Sequence, residues 1–474
     1  MELLNRTTAK VTGKRPVKVL QFGEGNFLRG FVDWMIDILN EKTAFNGDVH
    51  IIQPIEQGII HLLNQQEGLY HVLLNGIQDG KAVQEKRLIT SIAGATNPYE
   101  SYTAYLQLAE NPELEFIISN TTEAGICFEA TDTGQEIIPA TFPGKLTALL
   151  YHRFNFFSGD AAKGLHIIPC ELIEKNGEIL KQTVLQFAKH WNLPETFANW
   201  IAQHNNFCNT LVDRIVPGFP RETIKEIQQE LGYEDNLVVT AEPFHLWVIE
   251  APAAVQAAFP AEEAGLQVKF VEDLTPYRTR KVRILNGAHT ALVPVAYLQG
   301  LRTVREAIED EKAGKFIREA IFEEIIPTLD LPAEELEQFA NDVIERFQNP
   351  FIRHELITIS LNSVSKYKVR VLPSVLEYHA RKGVLPKRLL QSLAALILFY
   401  KGEWSNEQIP VNDTADVLAF FKSAWQKITA REVVQAVLAN QDFWGKDLNQ
   451  VDGFTDMVTS QVEQLQKTEQ TAAV

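Results

Sequence analysis

Val17-Lys18-Val19-Leu20-Gln21-Phe22-Gly23-Glu24-Gly25-Asn26-Phe27-Leu28-Arg29-Gly30 decides the reading of the amino-terminal half. Its first six residues have the β-branched and apolar character of a short buried strand. Gly23 and Gly25 permit a tight turn, and Phe27, Leu28, Phe31, Val32, Trp34, Met35, Ile38 and Leu39 then recur at helical intervals, predicting one helix that ends near Asn40-Glu41-Lys42. Strand, glycine turn and helix in that order let a backbone approach a pyrophosphate and offer it unpaired N–H groups. The third glycine of a complete GxGxxG would fall at Leu28, and Gly30 is out of register. The turn alone therefore also fits an ordinary glycine-rich loop.

Working outward, residues 49–53, 70–75, 85–90, 115–120, 164–170 and 238–241 read as strands, and 145–154 and 177–191 as helices. Such alternation predicts a mostly parallel sheet covered on both faces. From about Asp273 helical patterns take over, at 282–300, 304–325, 333–347, 387–400, 414–425 and 430–440, with a fraying tail after Gln464. The expected class is α/β, with a dinucleotide-binding domain over 1–272 and a mainly α-helical substrate and catalytic domain over 273–474.

At 474 residues the chain is long enough for two or three domains. Its 44 Lys and Arg stand against 61 Asp and Glu, a net charge of −17, which disfavours nucleic acid and anionic membranes as partners. An anionic small molecule is still allowed, because a few cations can set the potential of a cleft. Cys127, Cys170 and Cys208 form no CxxC pair, so neither a zinc site nor a disulfide framework is expected. Met1 to Lys18 lacks the apolar core of a signal peptide, and no run approaches the roughly 18 apolar residues of a membrane span. A cytoplasmic location is expected; the oligomeric state is open.

The second informative stretch is Tyr277-Arg278-Thr279-Arg280-Lys281-Val282-Arg283-Ile284-Leu285-Asn286-Gly287-Ala288-His289-Thr290. If it is an α-helix, Asn286 lies roughly 140° and His289 roughly 80° around the axis from Lys281. Gly287 inside a helix costs about 1 kcal/mol relative to Ala, which points to a close approach of other atoms there. A lysine, an amide and an imidazole on one broad face suit carbonyl reduction: the lysine supplies a proton while the other two donate hydrogen bonds to the developing alkoxide. The competing reading is a solvated basic face with a buried structural histidine.

Lys281, Asn286 and His289 reproduce the Lys-x4-Asn-x2-His pattern of the polyol-specific long-chain dehydrogenases, and the chain resembles the mannitol dehydrogenase family over nearly its whole length. The turn at Gly23 to Phe27, Ser119-Asn120-Thr121-Thr122-Glu123-Ala124-Gly125, and Val212-Asp213-Arg214-Ile215-Val216-Pro217 carry the resemblance as well. It implies a Rossmann-like first domain, a helical second domain, and zinc-independent exchange of hydride between NAD(H) and a ketose-type sugar. Lys281 would be the general acid/base, with Asn286 and His289 polarising the oxygen. Phe22, Gly23, Gly25, Asn26, Phe27, Gln53, Ser119, Asn120, Thr121, Glu123 and Asp213 would hold the cofactor; Val212, Lys366, Lys368, His354 and Arg278 would contact substrate. Gln53-Pro54 ends the second strand without an acid for the ribose hydroxyls and without an arginine for a 2′-phosphate, leaving a weak lean to NAD.

Within the family, Pro169-Cys170-Glu171-Leu172-Ile173-Glu174-Lys175-Asn176-Gly177, Glu242-Pro243-Phe244-His245-Leu246-Trp247 and Leu361-Asn362-Ser363-Val364-Ser365-Lys366-Tyr367-Lys368 resemble members that act on keto-sugar acids. The expected reaction is reduction of D-tagaturonate to D-altronate, with D-fructuronate or a neutral ketose as alternatives. Where mannitol enzymes carry Cys-Asp-Asn, Leu172 stands in place of the amide, and Thr358 replaces an arginine eight residues before Lys366. Lys366, Lys368 and Arg370 would share one face of an extended segment and could meet a carboxylate. His245 is a further pocket candidate, whereas Trp247 and Phe244 read as packing. A non-catalytic nucleotide sensor and a metal-dependent isomerase are the readings from other classes.

Overall fold

The computed structural model describes residues 1–472 apart from Asp79, Glu123 and Gln135, so the expectation at Glu123 lies outside the described residues. Two compact units are present, Met1–Asn75 with Ala82–Leu274, and Gly76–Lys81 with Thr275–Val474.

The first unit is built on six parallel strands, β1 (Val17–Phe22), β2 (Asp48–Ile52), β3 (Ile92–Thr96), β4 (Phe116–Ser119), β5 (His166–Pro169) and β6 (Asn206–Phe207). Their spatial order is β3-β2-β1-β4-β5-β6, the doubly wound order that reverses direction between β1 and β4. Alternate residues serve the two faces: Val19, Phe116 and Ile118 join one apolar cluster, Leu20, Phe22 and Ile117 the other. Phe22 is level with Ile52 and Ser119, and Ser119 with Pro169, so Gly23, Gln53, Asn120 and Cys170 emerge together at the carboxyl edge. Ligands of open α/β sheets bind at this edge, beside the point of reversal.

The single helix expected after the turn is two pieces, α1 (Asn26–Arg29) and α2 (Val32–Lys42). At the break lies Gly30, where a Cβ would stand 3.0 Å from Val239 and 3.2 Å from Val216. Gly30 thus takes over, out of register, the close packing that the third glycine of the fingerprint usually allows. A second sheet, in the order Asn209–Asp213, Leu246–Glu250, Val268–Val271, was not expected from the pattern. Its strands are short and mixed in direction, and Leu246–Glu250 reads as an apolar run without alternation.

The second unit is mainly helical. Lys387–Phe399, buried along most of its length, packs against Gly287–Leu298 and Phe454–Ala472. The helix expected over 304–325 is interrupted at Asp310, whose carboxylate accepts the N–H groups of Lys312 and Ala313 at 2.9 and 2.8 Å and restarts it as Glu311–Glu319. The tail does not fray at Gln464; the last helix runs to Ala472, with Val458 and Val462 buried on its inner face. No described helix is long and apolar enough to cross a membrane.

Candidate active site

Gly23 sits at φ +119°, and a Cβ on it would lie 2.9 Å from the carbonyl oxygen of Asn120, so the turn tolerates no side chain there. Gly25 differs. It has an ordinary extended conformation, φ −66° and ψ 163°, and a Cβ would meet nothing within 4 Å. The fold does not need glycine at 25, but a pyrophosphate brought against the backbone would, and in that respect the turn fits a dinucleotide. Gly25→Ala should shift the melting temperature by only a few degrees, as expected for an exposed cap. It should weaken NADH binding about 10- to 100-fold, the cost of overfilling a packed contact. Fluorescence titration of NADH beside a melting curve checks both halves.

Arg29 shapes the turn. Its buried guanidinium donates to the Glu24 carbonyl at 2.9 Å, to the Asn26 side chain at 2.7 Å and to the Leu237 carbonyl at 2.5 Å. Holding the Glu24 carbonyl also fixes the plane of the peptide that carries the Gly25 N–H. Phe22 turns its side chain into the core against Tyr105 and Phe142, leaving only backbone at the edge, where its carbonyl accepts the Asn120 N–H. Phe27 stacks on Phe31 at 5.0 Å. Gln53 is buried and donates its amide to the carbonyls of Ile55 and Glu56 at 2.9 and 3.0 Å, so its donors are spent within its own loop.

Glu171 is the residue that sequence reasoning passed over. Its carboxylate accepts from Ser119 Oγ, Thr121 N and Thr121 Oγ1, each at 3.0 Å, and thereby fixes the loop that follows β4. Burial pushes this carboxyl up, while those hydrogen bonds favour its ionised form. An acid two residues past a buried strand end, with Ser at the end of the neighbouring strand and Thr in the loop just after it, was the available signal. Leu172 beside it is exposed and offers no donor, and the nearby Asn176 amide is engaged by Pro169 and Glu171 carbonyls at 3.0 Å. Val212 and Asp213 end the strand Asn209–Asp213 and are buried. His245 is a structural residue: Nδ1 lies 3.2 Å from the Pro243 carbonyl, Nε2 accepts the Gln267 N–H at 3.0 Å, and burial pushes its pKa down to about 4.

In the second unit Arg278 lies on the helix Thr275–Arg280, and the next segment, Lys281–Asn286, is not α-helical but a π-helical turn that passes into the α-helix Gly287–Leu298. This changes the geometry in favour of convergence. With i→i+5 closure each residue advances roughly 80°, so Asn286 falls about 40° from Lys281, and three α-helical steps bring His289 to within about 20° on the other side. All three then share a strip of roughly 60° on one helix face, narrower than a regular helix allows. The Asn286 side chain makes no hydrogen bond among the described residues, while its carbonyl accepts from Thr290 Oγ1 at 2.9 Å. His289 stacks on Phe347 at 4.1 Å and meets His354 edge-on at 5.1 Å. Burial first, then His354, Arg346 and Arg370, hold its imidazole well below the ordinary pKa, so the ring is neutral. Its Nε2 is buried without a hydrogen-bond partner. The close approach expected at Gly287 is the Arg370 carbonyl, 3.0 Å from where a Cβ would stand.

The extended segment expected around Lys366 is instead the helix Ser363–Arg370. Lys366 and Arg370, four apart, share a face, and Lys368 is turned away to donate to the Asp442 carbonyl at 3.2 Å. Lys368, expected to contact substrate together with Lys366, therefore lies on a different side of this helix from Lys366. Lys366 donates to the Ile359 carbonyl at 2.9 Å, and burial together with Arg370 holds its pKa below the ordinary value. Among the described residues no group of three His, Cys, Asp or Glu could hold a metal ion.

A doubly wound sheet with a glycine turn at its point of reversal, joined to a helical unit bearing Lys281, Asn286 and His289, is the arrangement of a dinucleotide-linked dehydrogenase. Residues 17–262 match the mannitol dehydrogenase Rossmann domain and 273–466 the mannitol dehydrogenase C-terminal domain; the chain belongs to the mannitol dehydrogenase family. The altronate oxidoreductase of Phocaeicola vulgatus is 49% identical over 469 residues, 98% of each chain. That of Bacillus subtilis is 50% identical over 460 residues, 97% of this chain and 94% of the relative. Among solved structures, a substrate-free D-sorbitol dehydrogenase superposes over 100% of both chains with a TM-score of 0.82 at 21% identity. Pseudomonas fluorescens mannitol 2-dehydrogenase, in a ternary complex with NAD and D-mannitol, covers 100% of this chain and 98% of its own, with a TM-score of 0.67 at 22% identity. These two likenesses bear on the fold.

Proposed function

We propose that the protein reduces D-tagaturonate to D-altronate with NADH, and runs the reverse reaction with NAD. The observation that carries the chemistry is the π-helical turn that gathers Lys281, Asn286 and His289 on one strip; the substrate follows from near-50% identity to altronate oxidoreductases along the whole chain. Gly23 and Gly25, with Asn26 and the Glu171-braced loop Ser119–Asn120–Thr121, hold the dinucleotide. NADH, when bound, supplies the hydride. Lys281 gives its proton to the oxygen that becomes the new hydroxyl, and takes it back in the reverse direction. The Asn286 amide donates to that oxygen as negative charge builds on it, and His289, kept neutral by burial, orients it without adding charge to the site.

The test is the fall in NADH absorbance with purified, chelator-treated protein and D-tagaturonate, D-fructuronate or D-fructose at equal concentration. Rapid oxidation of NADH with tagaturonate, and slow oxidation with the others, is expected. Reduction of fructuronate or fructose alone would overturn the substrate, and loss of activity on chelation would overturn the metal-free mechanism.

A further inference from the structure

Arg370 is a cation of the catalytic unit, on the helix Ser363–Arg370. Its guanidinium is half-buried, yet no hydrogen bond or ion pair holds it among the described residues. That is unlike its neighbours. Arg283 donates to Ser374 Oγ at 3.1 Å, Lys366 is held by the Ile359 carbonyl, and Lys368 by that of Asp442. A guanidinium desolvated without an acceptor costs free energy that folding alone does not return.

Its position is set by the catalytic helix. The Arg370 backbone rests closely on Gly287, the residue after Asn286, its carbonyl oxygen 3.0 Å from where a Cβ would stand, and the helix Ser363–Arg370 packs against both Lys281–Asn286 and Gly287–Leu298. The unpartnered His289 Nε2 belongs to the same neighbourhood, where Arg370 acts electrostatically on the imidazole and on Lys366. Three nitrogen-bearing groups thus crowd together, and burial is the sole cause acting on Arg370, with no carboxylate contributing. Such a grouping of donors without an acidic partner suits an incoming anion.

We propose that Arg370 is the specificity-determining residue that binds the carboxylate of the substrate, with Lys366 supporting it from the same helix face. The inference rests on the keto-uronate reading above and deepens it. A keto-hexuronate carries its carboxylate toward one end of a six-carbon chain and its ketone near the other, so one molecule can engage the Lys281 strip and a cation beside it. A planar guanidinium can take a carboxylate through two parallel hydrogen bonds, which a lysine cannot copy. A neutral ketose has nothing to offer there and leaves the cation unpaired.

The experiment compares kcat and KM of wild type, Arg370→Met and Arg370→Lys with D-tagaturonate and with D-fructose, alongside NADH binding by fluorescence. In the Met variant kcat/KM for tagaturonate should fall about 100-fold, mostly through KM. The value for fructose should change less than about threefold, NADH affinity should hold, the Lys variant should fall between, and added guanidinium should recover part of the loss. An unchanged ratio of the two substrates in Arg370→Met, with wild type still preferring tagaturonate, overturns the role of Arg370 alone. A parallel loss on both substrates assigns Arg370 a structural role and overturns it equally. A wild type that does not prefer the uronate overturns the underlying reading together with this one.

Discussion

Replacing Lys281 with Ala lowers turnover by about 10²–10⁴-fold, the usual worth of a positioned general acid/base. NADH affinity stays near wild type, because the glycine turn and its supports, Arg29 and Glu171, belong to the other compact unit. The size of the loss follows from charge. Hydride delivery leaves an alkoxide, and without Lys281 the oxygen retains only the Asn286 amide and a neutral His289. The proton is needed as the carbon–oxygen bond changes, so kcat and kcat/KM should fall together. Stopped-flow or steady-state NADH oxidation, with fluorescence titration of NADH as control, reads both quantities. Turnover near wild type would remove Lys281 from the mechanism; a loss confined to KM would make it a binding residue.

The parts of this protein legible in the sequence were those where local pattern and tertiary demand agree. β1 is a short apolar run meeting its own glycine turn, and Ala333–Phe347 is a single amphipathic helix whose buried Leu336, Phe339, Ala340, Val343 and Phe347 keep helical spacing. What escaped was decided by other parts of the chain. At the break, Val216 and Val239, about two hundred residues away in sequence, pack closely on the Gly30 backbone, which its own neighbours in sequence do not announce. The spacing of Lys366, Lys368 and Arg370 matches one face of a strand, but buried Val364, Tyr367 and Val371 at intervals of three and four call for a helix, and they prevail. The residue types of the Lys281 block, and so the chemistry proposed for it, come straight from the sequence. Its π-helical winding does not, since one extra residue per turn leaves no mark on composition, and that winding is what narrows the face from roughly 140° to roughly 60°. Glu171 was visible only as a departure from a pattern; its work in bracing Ser119 and Thr121 depends on the register of β4 against β5.

Asp33→Asn should make the protein more stable above pH 7 and remove a slope from its pH–stability curve. Asp33 is fully buried on α2; Tyr70 OH and Gln21 Nε2 reach one carboxylate oxygen at 2.9 and 3.4 Å, and the other has no partner. Gln21 Oε1 is equally without a donor. Burial pushes the Asp33 carboxyl up to about 7, against the pull of Tyr70, Gln21 and Arg29. In the unfolded chain the same group ionises at about 3.9. Below about pH 4 both states are protonated and the group carries no penalty. Between about 4 and 7 the unfolded chain loses its proton while the native state keeps it, so stability falls as pH rises, and above 7 the loss is complete. A shift of about three pK units corresponds to a ceiling of about 4 kcal/mol. The amide that replaces the carboxylate cannot ionise, and it puts an N–H donor in place of the unpartnered Asp33 oxygen, in a core where Gln21 Oε1 lacks a donor. Denaturant unfolding of both proteins at pH 5 and pH 8 should therefore show a gap that opens at the higher pH, by about 2–4 kcal/mol. Since Gln21 also donates to the Gly23 carbonyl at 3.1 Å and Tyr70 to the Arg29 carbonyl at 3.1 Å, the same titration presses on the dinucleotide turn. NADH affinity in wild type should accordingly weaken above pH 7 more than in Asp33→Asn, and equal pH dependence in the two would leave Asp33 a purely structural acid.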